Sequence, residues 1–293
     1  MGPALAIDIG GTKLAAGLVT SDGTLLVRTE APTPKEGPEE LLAALLGVVD
    51  VVRRGDEAVC GVGTGGPMTP GGEEVSPVNI PAWRRFPLRR RLGEATDLAT
   101  FVDNDAKALA LGEGWVGETA GVANFLAMVV STGVGGGVVL GGRLLDGAAG
   151  NAGHIGHVIV APDGRRCGCG ARGCLEAEAS GTGILRATGR PPMEASPEVV
   201  LHAGTMVGRA VASVANLLDL RTAVVAGSVA LGFGAPFFTA AQAELDRRAC
   251  LDFSAGARIG PAGLGDRGPL IGAGAVGWRG MGVDVLVDAR TRR

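Results

Sequence analysis

The strongest constraint in this sequence is a pattern that occurs twice: a short apolar run, a glycine turn and a second apolar run. Residues 5–9, Gly10-Gly11 and residues 14–19 form the first copy. Residues 124–130, the string Ser131-Thr132-Gly133-Val134-Gly135-Gly136-Gly137 and residues 137–140 form the second. Short apolar runs bounded by glycine read as β-strands joined in a hairpin. Each hairpin is then followed by strands and helices in alternation. Behind the first come a turn at Ser21-Asp22-Gly23 leading into a strand over 24–28 and an amphipathic helix opened by Pro38-Glu39-Glu40 and running to about Arg54. Strands over 58–62 and 100–102 and a helix over 105–115 complete that half. Behind the second come a Cys/Gly/His-rich loop over 150–174, helices near 176–188 and 198–218, a strand over 222–226, and helices over 237–248 and 272–279. Proline early in a helix with acids in its first turn matches the demands of a helix start. Two α/β lobes flanking a cleft are the expected architecture.

Composition narrows what such a chain can do. Lys+Arg 27 against Asp+Glu 30 gives a net charge of −3, which removes the broad positive field that general nucleic-acid or anionic-membrane binding requires. Glycine is over-represented, 51 of 293 residues, but without a three-residue period, which excludes collagen. The first residues show no basic segment ahead of an apolar one, so no secretory signal is read and the cytoplasm is the expected compartment. Residues 119–142 are uncharged and long enough to span a bilayer, yet seven glycines interrupt them, and two β-runs fit better than a transmembrane helix.

Several strings imitate known motifs without their context. Gly61-Val62-Gly63-Thr64-Gly65-Gly66 follows a strand, but prolines stand where a Rossmann helix should begin, and Gly272-Ala273-Gly274-Ala275-Val276-Gly277 has too little chain behind it. No lysine ends a Walker A string. His154-Ile155-Gly156-His157 imitates a tRNA-synthetase signature in the wrong surroundings. The run from Trp83 to Arg91 is basic with interleaved aromatics, and in an acidic chain it reads as a solvated helix start or subunit contact. His202 reads as a solvated or capped helix residue, and Cys60 and Cys250 as core thiols.

Asp8-Ile9-Gly10-Gly11-Thr12-Lys13 is more informative. A plain hairpin turn needs only the glycines; an acid at the strand end, a hydroxyl and a cation are surplus to it and suit phosphate, with backbone N–H groups close to the anion. The Ser131–Gly137 string repeats the design, and two such turns facing one cleft would cradle a polyphosphate. Asp103-Asn104-Asp105 places carboxylates between a strand and a helix, where one could accept a proton from an attacking hydroxyl or merely cap the helix. Spacing does not choose between Asp103 and Asp105. His157, Cys167, Cys169 and Cys174 form H-x9-C-x-C-x4-C, four N/S ligands suited to a structural tetrahedral Zn²⁺, with a redox pair at Cys167 and Cys169 as the competing reading.

Together these strings resemble the ROK family of sugar kinases across essentially the whole chain. The resemblance implies the two-lobed actin/hexokinase-like (ribonuclease H-like) ATPase fold with a central cleft. It implies a small lobe over 1–117, completed by 275–293, and a larger lobe over 118–274 with the zinc loop. It implies ATP contacts at Asp8, Gly10, Gly11, Thr12, Lys13, Thr132, Gly133, Gly135, Gly227 and Ser228. Sugar contacts fall at Asn79, Asn104, Asp105, His154, His157 and Glu176, with Asp105 as catalytic base, Mg²⁺ near Asp8, and His157 on both metal and sugar. Family members are commonly dimers or tetramers. Where glucose-phosphorylating members carry Glu, this chain has His154, as in bacterial N-acetylmannosamine kinases; an imidazole offers a donor that could meet an N-acyl carbonyl. The expected activity is transfer of the ATP γ-phosphoryl to a hexose 6-hydroxyl, N-acetylmannosamine ahead of glucose. The alternatives are a glucokinase proper or a catalytically weak sugar-sensing regulator. Such regulators carry a winged-helix segment before the first phosphate loop, for which the stretch ahead of Asp8 is too short.

Overall fold

The computed structural model describes residues 1–286 of the chain. The chain divides into two compact units. The first holds residues 1–121, 144–152 and 264–286; the second holds 122–143 and 153–263. The lobe boundaries implied by resemblance differ from these units at 118–121, 144–152 and 264–274, and residues 287–293 lie outside the described residues.

The first unit is built on a five-stranded sheet of order β3-β2-β1-β4-β5, from β1 (Ala4–Ile9), β2 (Lys13–Val19), β3 (Leu25–Pro32), β4 (Val59–Thr64) and β5 (Thr100–Asn104). β1 pairs antiparallel with β2 and parallel with β4, which pairs parallel with β5. β1 is covered on both faces, which is why it reads as an apolar run broken only by Asp8 near its end. Leu5, Ile7 and Ile9 join the core built on helix α1 (Pro38–Val52). The edge strand β3 alternates half-buried and exposed residues instead. Helix α2 (Leu88–Thr96) begins inside the basic run, bearing out a helix start there. Its arginines are neutralised locally, Arg91 by Glu39 and Arg89 by Glu73. Helix α3 (Asp105–Val116) is capped by Asn104, whose Oδ1 accepts the Ala106 N–H at 3.0 Å.

The second unit repeats the topology: β6 (Phe125–Val130) pairs antiparallel with β7 (Val134–Leu140) and parallel with β9 (Thr222–Ala226), in a sheet of order β10-β9-β6-β7-β8 with β8 (Arg143–Leu144) and β10 (Arg258–Pro261). Sequence reading missed β10, four residues with a glycine and a proline that carry little strand signal. The single helix expected over 176–188 is two, α4 (Leu175–Ala179) and α5 (Gly181–Thr188). Ser180 breaks it by capping α5, its Oγ accepting the Gly183 N–H at 2.9 Å. Helix α6 (Pro197–Leu218) packs against α7 (Ser228–Arg248), which starts nine residues before the expected 237 and is interrupted at Gly234. Helix α8 (Gly268–Gly280) belongs to the first unit, where its small residues lie against β1, β4 and α3. Both glycine strings that imitate a dinucleotide fingerprint are thereby explained: one is β4 itself, the other is α8. No helix among the described residues is long and apolar enough to cross a membrane, and 119–142 forms β6 and β7.

Candidate active site and metal centre

In the first unit the parallel register puts Asp8 beside Gly63 and Gly63 beside Asp103. A methyl group at Gly63 would lie 3.7 Å from both Asp8 Oδ1 and the Asp105 Cα, so the bare glycine lets the strand-end acid and the helix-start acid share one spot. Burial, reinforced by the neighbouring Asp105 charge and partly offset by Lys13, pushes the Asp8 carboxyl up to about 7. Two carboxylates held this way favour a cation between or beside them. The donor set therefore fits Mg²⁺ near Asp8.

The pair left open by spacing separates here. Asp103 is tied down: its Oδ1 sits 3.0 Å from Lys107 Nζ and accepts the Asn104 N–H at 2.8 Å. Lys107 is buried and also donates to Asp146 Oδ1 at 2.7 Å. Asp105 is exposed at the first position of α3, its Oδ1 accepting the Ala106 N–H at 2.8 Å.

The first glycine turn is closed by the Gly10 N–H donating to the Lys13 carbonyl at 2.9 Å. A Cβ on Gly11 would stand 2.8 Å from Asn79 Cβ and 2.9 Å from its carbonyl, so the turn and the Asn79 segment are in direct contact. Lys13 pairs with Glu30 on the neighbouring strand at 2.9 Å, both exposed, and Thr12 lends its carbonyl to the Thr33 N–H at 3.1 Å. The Asn79 segment is fastened by Arg84, whose guanidinium donates to the carbonyls of Pro77, Ile80 and Trp83 at 3.0, 3.0 and 2.7 Å.

The β6–β7 turn in the second unit is made differently. The N–H groups of Gly181 and Thr182, opening α5, donate to the carbonyls of Ser131 and Thr132 at 2.8 and 3.1 Å. Ser228, opening α7, lies 3.0 Å from Ser131 through the two hydroxyl oxygens. Gly227 has φ of 100° and no room for a side chain, since a Cβ would come within 2.4 Å of the Val130 carbonyl. The first N–H groups of α5 are therefore taken up by the turn and by Ser180, and the N-terminus of α7, beside Ser131, is the helix start that suits an anion. Glu176 lies against the same turn: its Oε2 accepts the Val134 N–H at 3.2 Å and would be 3.0 Å from a Cβ on Gly133. Gly135 belongs to β7 itself.

His157, Cys167, Cys169 and Cys174 converge, their ligand atoms all within 4.8 Å of one another. Cys169 Sγ lies 3.6 Å from Cys174 Sγ, and His157 Nδ1 3.9 Å from Cys167 Sγ. Zn–S bonds of about 2.3 Å in a tetrahedron place ligand atoms roughly 3.5–3.8 Å apart, so these residues fit zinc. A redox pair at Cys167 and Cys169 would not gather His157 and Cys174 as well. The exposed His154 ring lies 6.2 Å from that of His157.

Two expectations are corrected. Cys250 is exposed rather than a core thiol, because it falls just past the last turn of α7, while Cys60 is buried as expected. His202 is not simply a solvated helix residue: its Nε2 is 3.1 Å from Glu178 Oε2 on α4. Gly63 and Glu178 went unread, the first hidden in a string imitating another motif, the second lacking any local signal.

The family model described as "ROK family" matches residues 4–277. The chain is 39% identical over 247 residues to an N-acetylmannosamine kinase of Escherichia fergusonii, covering 78% of this chain and 84% of that one. Among solved structures it is similar to a ROK hexokinase from Thermus thermophilus, with TM-score 0.82 and 36% identity over 95% of this chain and 99% of that one. It is similar also to a ROK family glucokinase from Streptomyces griseus solved with glucose and AMPPNP, with TM-score 0.83 and 29% identity over 95% of this chain and 100% of that one.

Proposed function

The chain belongs to the ROK family, and from that premise we propose that this ATP-dependent sugar kinase transfers the γ-phosphoryl to the 6-hydroxyl of a hexose, N-acetylmannosamine ahead of glucose. The observation that carries the reading is the meeting of Asp8 and Asp105 over Gly63. Asp105, exposed at the start of α3, accepts the proton of the attacking hydroxyl. Asn79 and Asn104 in the first unit, and His154, His157 and Glu176 in the second, hold sugar hydroxyls and so fix the attacking oxygen.

The N–H groups of Gly11 and Thr12 in the first turn and of Thr132 and Gly133 in the β6–β7 turn, with Gly227 and Ser228, bind the phosphates and meet the charge that develops on the transferred group. Asp8 would hold Mg²⁺, which neutralises phosphate charge when bound. The zinc ligands hold their loop, and with it His157 and the start of α4 bearing Glu176, without joining the chemistry. The preference for an N-acyl sugar rests on His154, whose ring can donate to an acyl carbonyl where a carboxylate could only accept. The relative named N-acetylmannosamine kinase supports it.

The test is ADP release measured with ATP over glucose, mannose, N-acetylglucosamine and N-acetylmannosamine, with product identified by NMR. The reading expects the highest kcat/KM with N-acetylmannosamine and phosphate on carbon 6. A preference for glucose would leave the kinase and remove the role given to His154. Absence of sugar-dependent ADP release would remove the kinase.

A further inference from the structure

Glu178 belongs to neither the phosphate turns nor the ligand set, yet both its carboxylate oxygens are engaged. Glu178 lies on α4, one turn beyond Cys174, which stands at the N-cap of that helix and offers one of the four candidate ligand atoms. Its side chain is 3% exposed. A buried carboxylate is costly unless hydrogen-bonded and paired. Here Oε1 accepts the Arg165 N–H at 2.7 Å. Oε2 faces His202 Nε2 of α6 at 3.1 Å and the Arg165 guanidinium at 3.6 Å. The same guanidinium donates to the Glu178 carbonyl at 3.1 Å.

Arg165 is where the cysteine hairpin begins. Its carbonyl accepts the Gly173 N–H at 2.9 Å, and two residues on the Cys167 N–H donates to Ala171 at 2.8 Å. The entering strand of the hairpin leads to Cys167 and Cys169, and the leaving strand ends in Cys174 and α4. One side chain therefore joins the start of the hairpin to the helix at its end. The fit is close: a Cβ on Gly164 would stand 2.4 Å from Glu178 Oε1.

We infer that Glu178 is the positioning residue that holds the metal loop in its ligating shape, with Arg165 as its partner in the loop and His202 orienting the carboxylate from α6. The inference rests on reading the four ligands as a zinc site. It adds a link to the sugar side, because Glu176 stands two residues earlier on the same short helix and reaches the β6–β7 turn. The state of the metal loop thereby sets the orientation of α4 and of Glu176.

The experiment is zinc competition against a chromophoric chelator, using the full chain, for wild type, Glu178→Ala, Glu178→Gln, Arg165→Met and His202→Gln. Outer partners of metal ligands are typically worth about 10–100-fold in metal affinity. Glu178→Ala should lose about that much, Glu178→Gln and Arg165→Met less, and His202→Gln least. Cobalt-substituted protein should show altered thiolate-to-metal and d–d bands in the same order. A residue that served only stability would lower the melting temperature with or without metal and leave affinity and spectra unchanged; that result overturns the proposal. Should Glu178→Ala fail to fold, the near-isosteric Glu178→Gln decides by the same readouts. Wild-type protein that holds no zinc overturns the metal reading and the clamp together. Neither outcome depends on turnover, so failure of the kinase reading is seen separately.

Discussion

The two glycine turns begin from the same topology and end as different devices. In each unit an antiparallel hairpin, β1–β2 or β6–β7, is extended by parallel strands in equivalent order. The first turn is set among charges, with Asp8 at its root, Lys13 at its exit and the Asn79 segment directly behind Gly11. The second is set among helix starts and hydroxyls, with α5, α7, Ser131 and Ser228 around it and Glu176 alongside. Glycines give close approach in both, while the neighbours decide what approaches. An acid beside a backbone cradle suits a cation with its phosphates; the start of α7 beside two hydroxyls suits the anion alone, while α5 uses its first N–H groups on the turn itself.

Several expected outcomes break or sharpen this contrast. The largest belongs to the charged turn's partner: Asp105→Ala should lower kcat by about 10²–10⁴-fold with sugar affinity retained, measured by ADP release and calorimetry. Near-wild-type turnover would strip the first unit of its base.

The two glycines should respond unequally. Alanine at Gly11 would press on Asn79 Cβ and its backbone carbonyl at 2.8 and 2.9 Å, atoms fixed to the main chain that cannot easily yield, whereas alanine at Gly133 meets the flexible end of Glu176 at 3.0 Å. Gly11→Ala should therefore raise KM for both substrates by about tenfold or more, a shift of roughly 1.4 kcal/mol. Gly133→Ala should cost only a few-fold, and equal effects would mean that the two turns are interchangeable after all.

Chelation of the metal should weaken sugar binding several-fold while leaving ATP binding nearly unchanged, which titration calorimetry on the stripped protein would show. Unchanged sugar affinity would confine the metal to the fold.

The last effect is on stability. Because Asp8 titrates near 7 when folded and near 4 when unfolded, the folded chain binds more protons between those values, and stability falls as pH rises through that window. Asp8→Asn should thus melt above wild type by about 3 °C or more at pH 8 without Mg²⁺, with the gap closing toward pH 4. A gap independent of pH would place the Asp8 carboxyl at an ordinary value.

Much of the fold was legible in the sequence for local reasons. The covered strands are apolar runs, and α1 is marked by Pro38 and the acids after it. The break between α4 and α5 needed Ser180 to be recognised as a cap, and β10 carries almost no signal because a four-residue strand of Arg, Ile, Gly and Pro is held by pairing with β9 rather than by propensity. His202 and Glu178 are 24 residues apart, and nothing in either neighbourhood announces the other.

By itself the sequence determined the chemical inventory: two glycine turns at strand ends, acids at 103 and 105, one imidazole and three thiols spaced for an ion. Those follow from side-chain chemistry and short-range spacing, which the chain carries wherever it folds. Tertiary structure alone decided the neighbours. Strand register set Asp8 across Gly63 from Asp105, Lys107 drew Asp103 into a buried ion pair, and α6 brought His202 onto the carboxylate that closes the metal loop. Burial, charge proximity and steric fit depend on residues distant in sequence, and so they exist only once the sheets have formed.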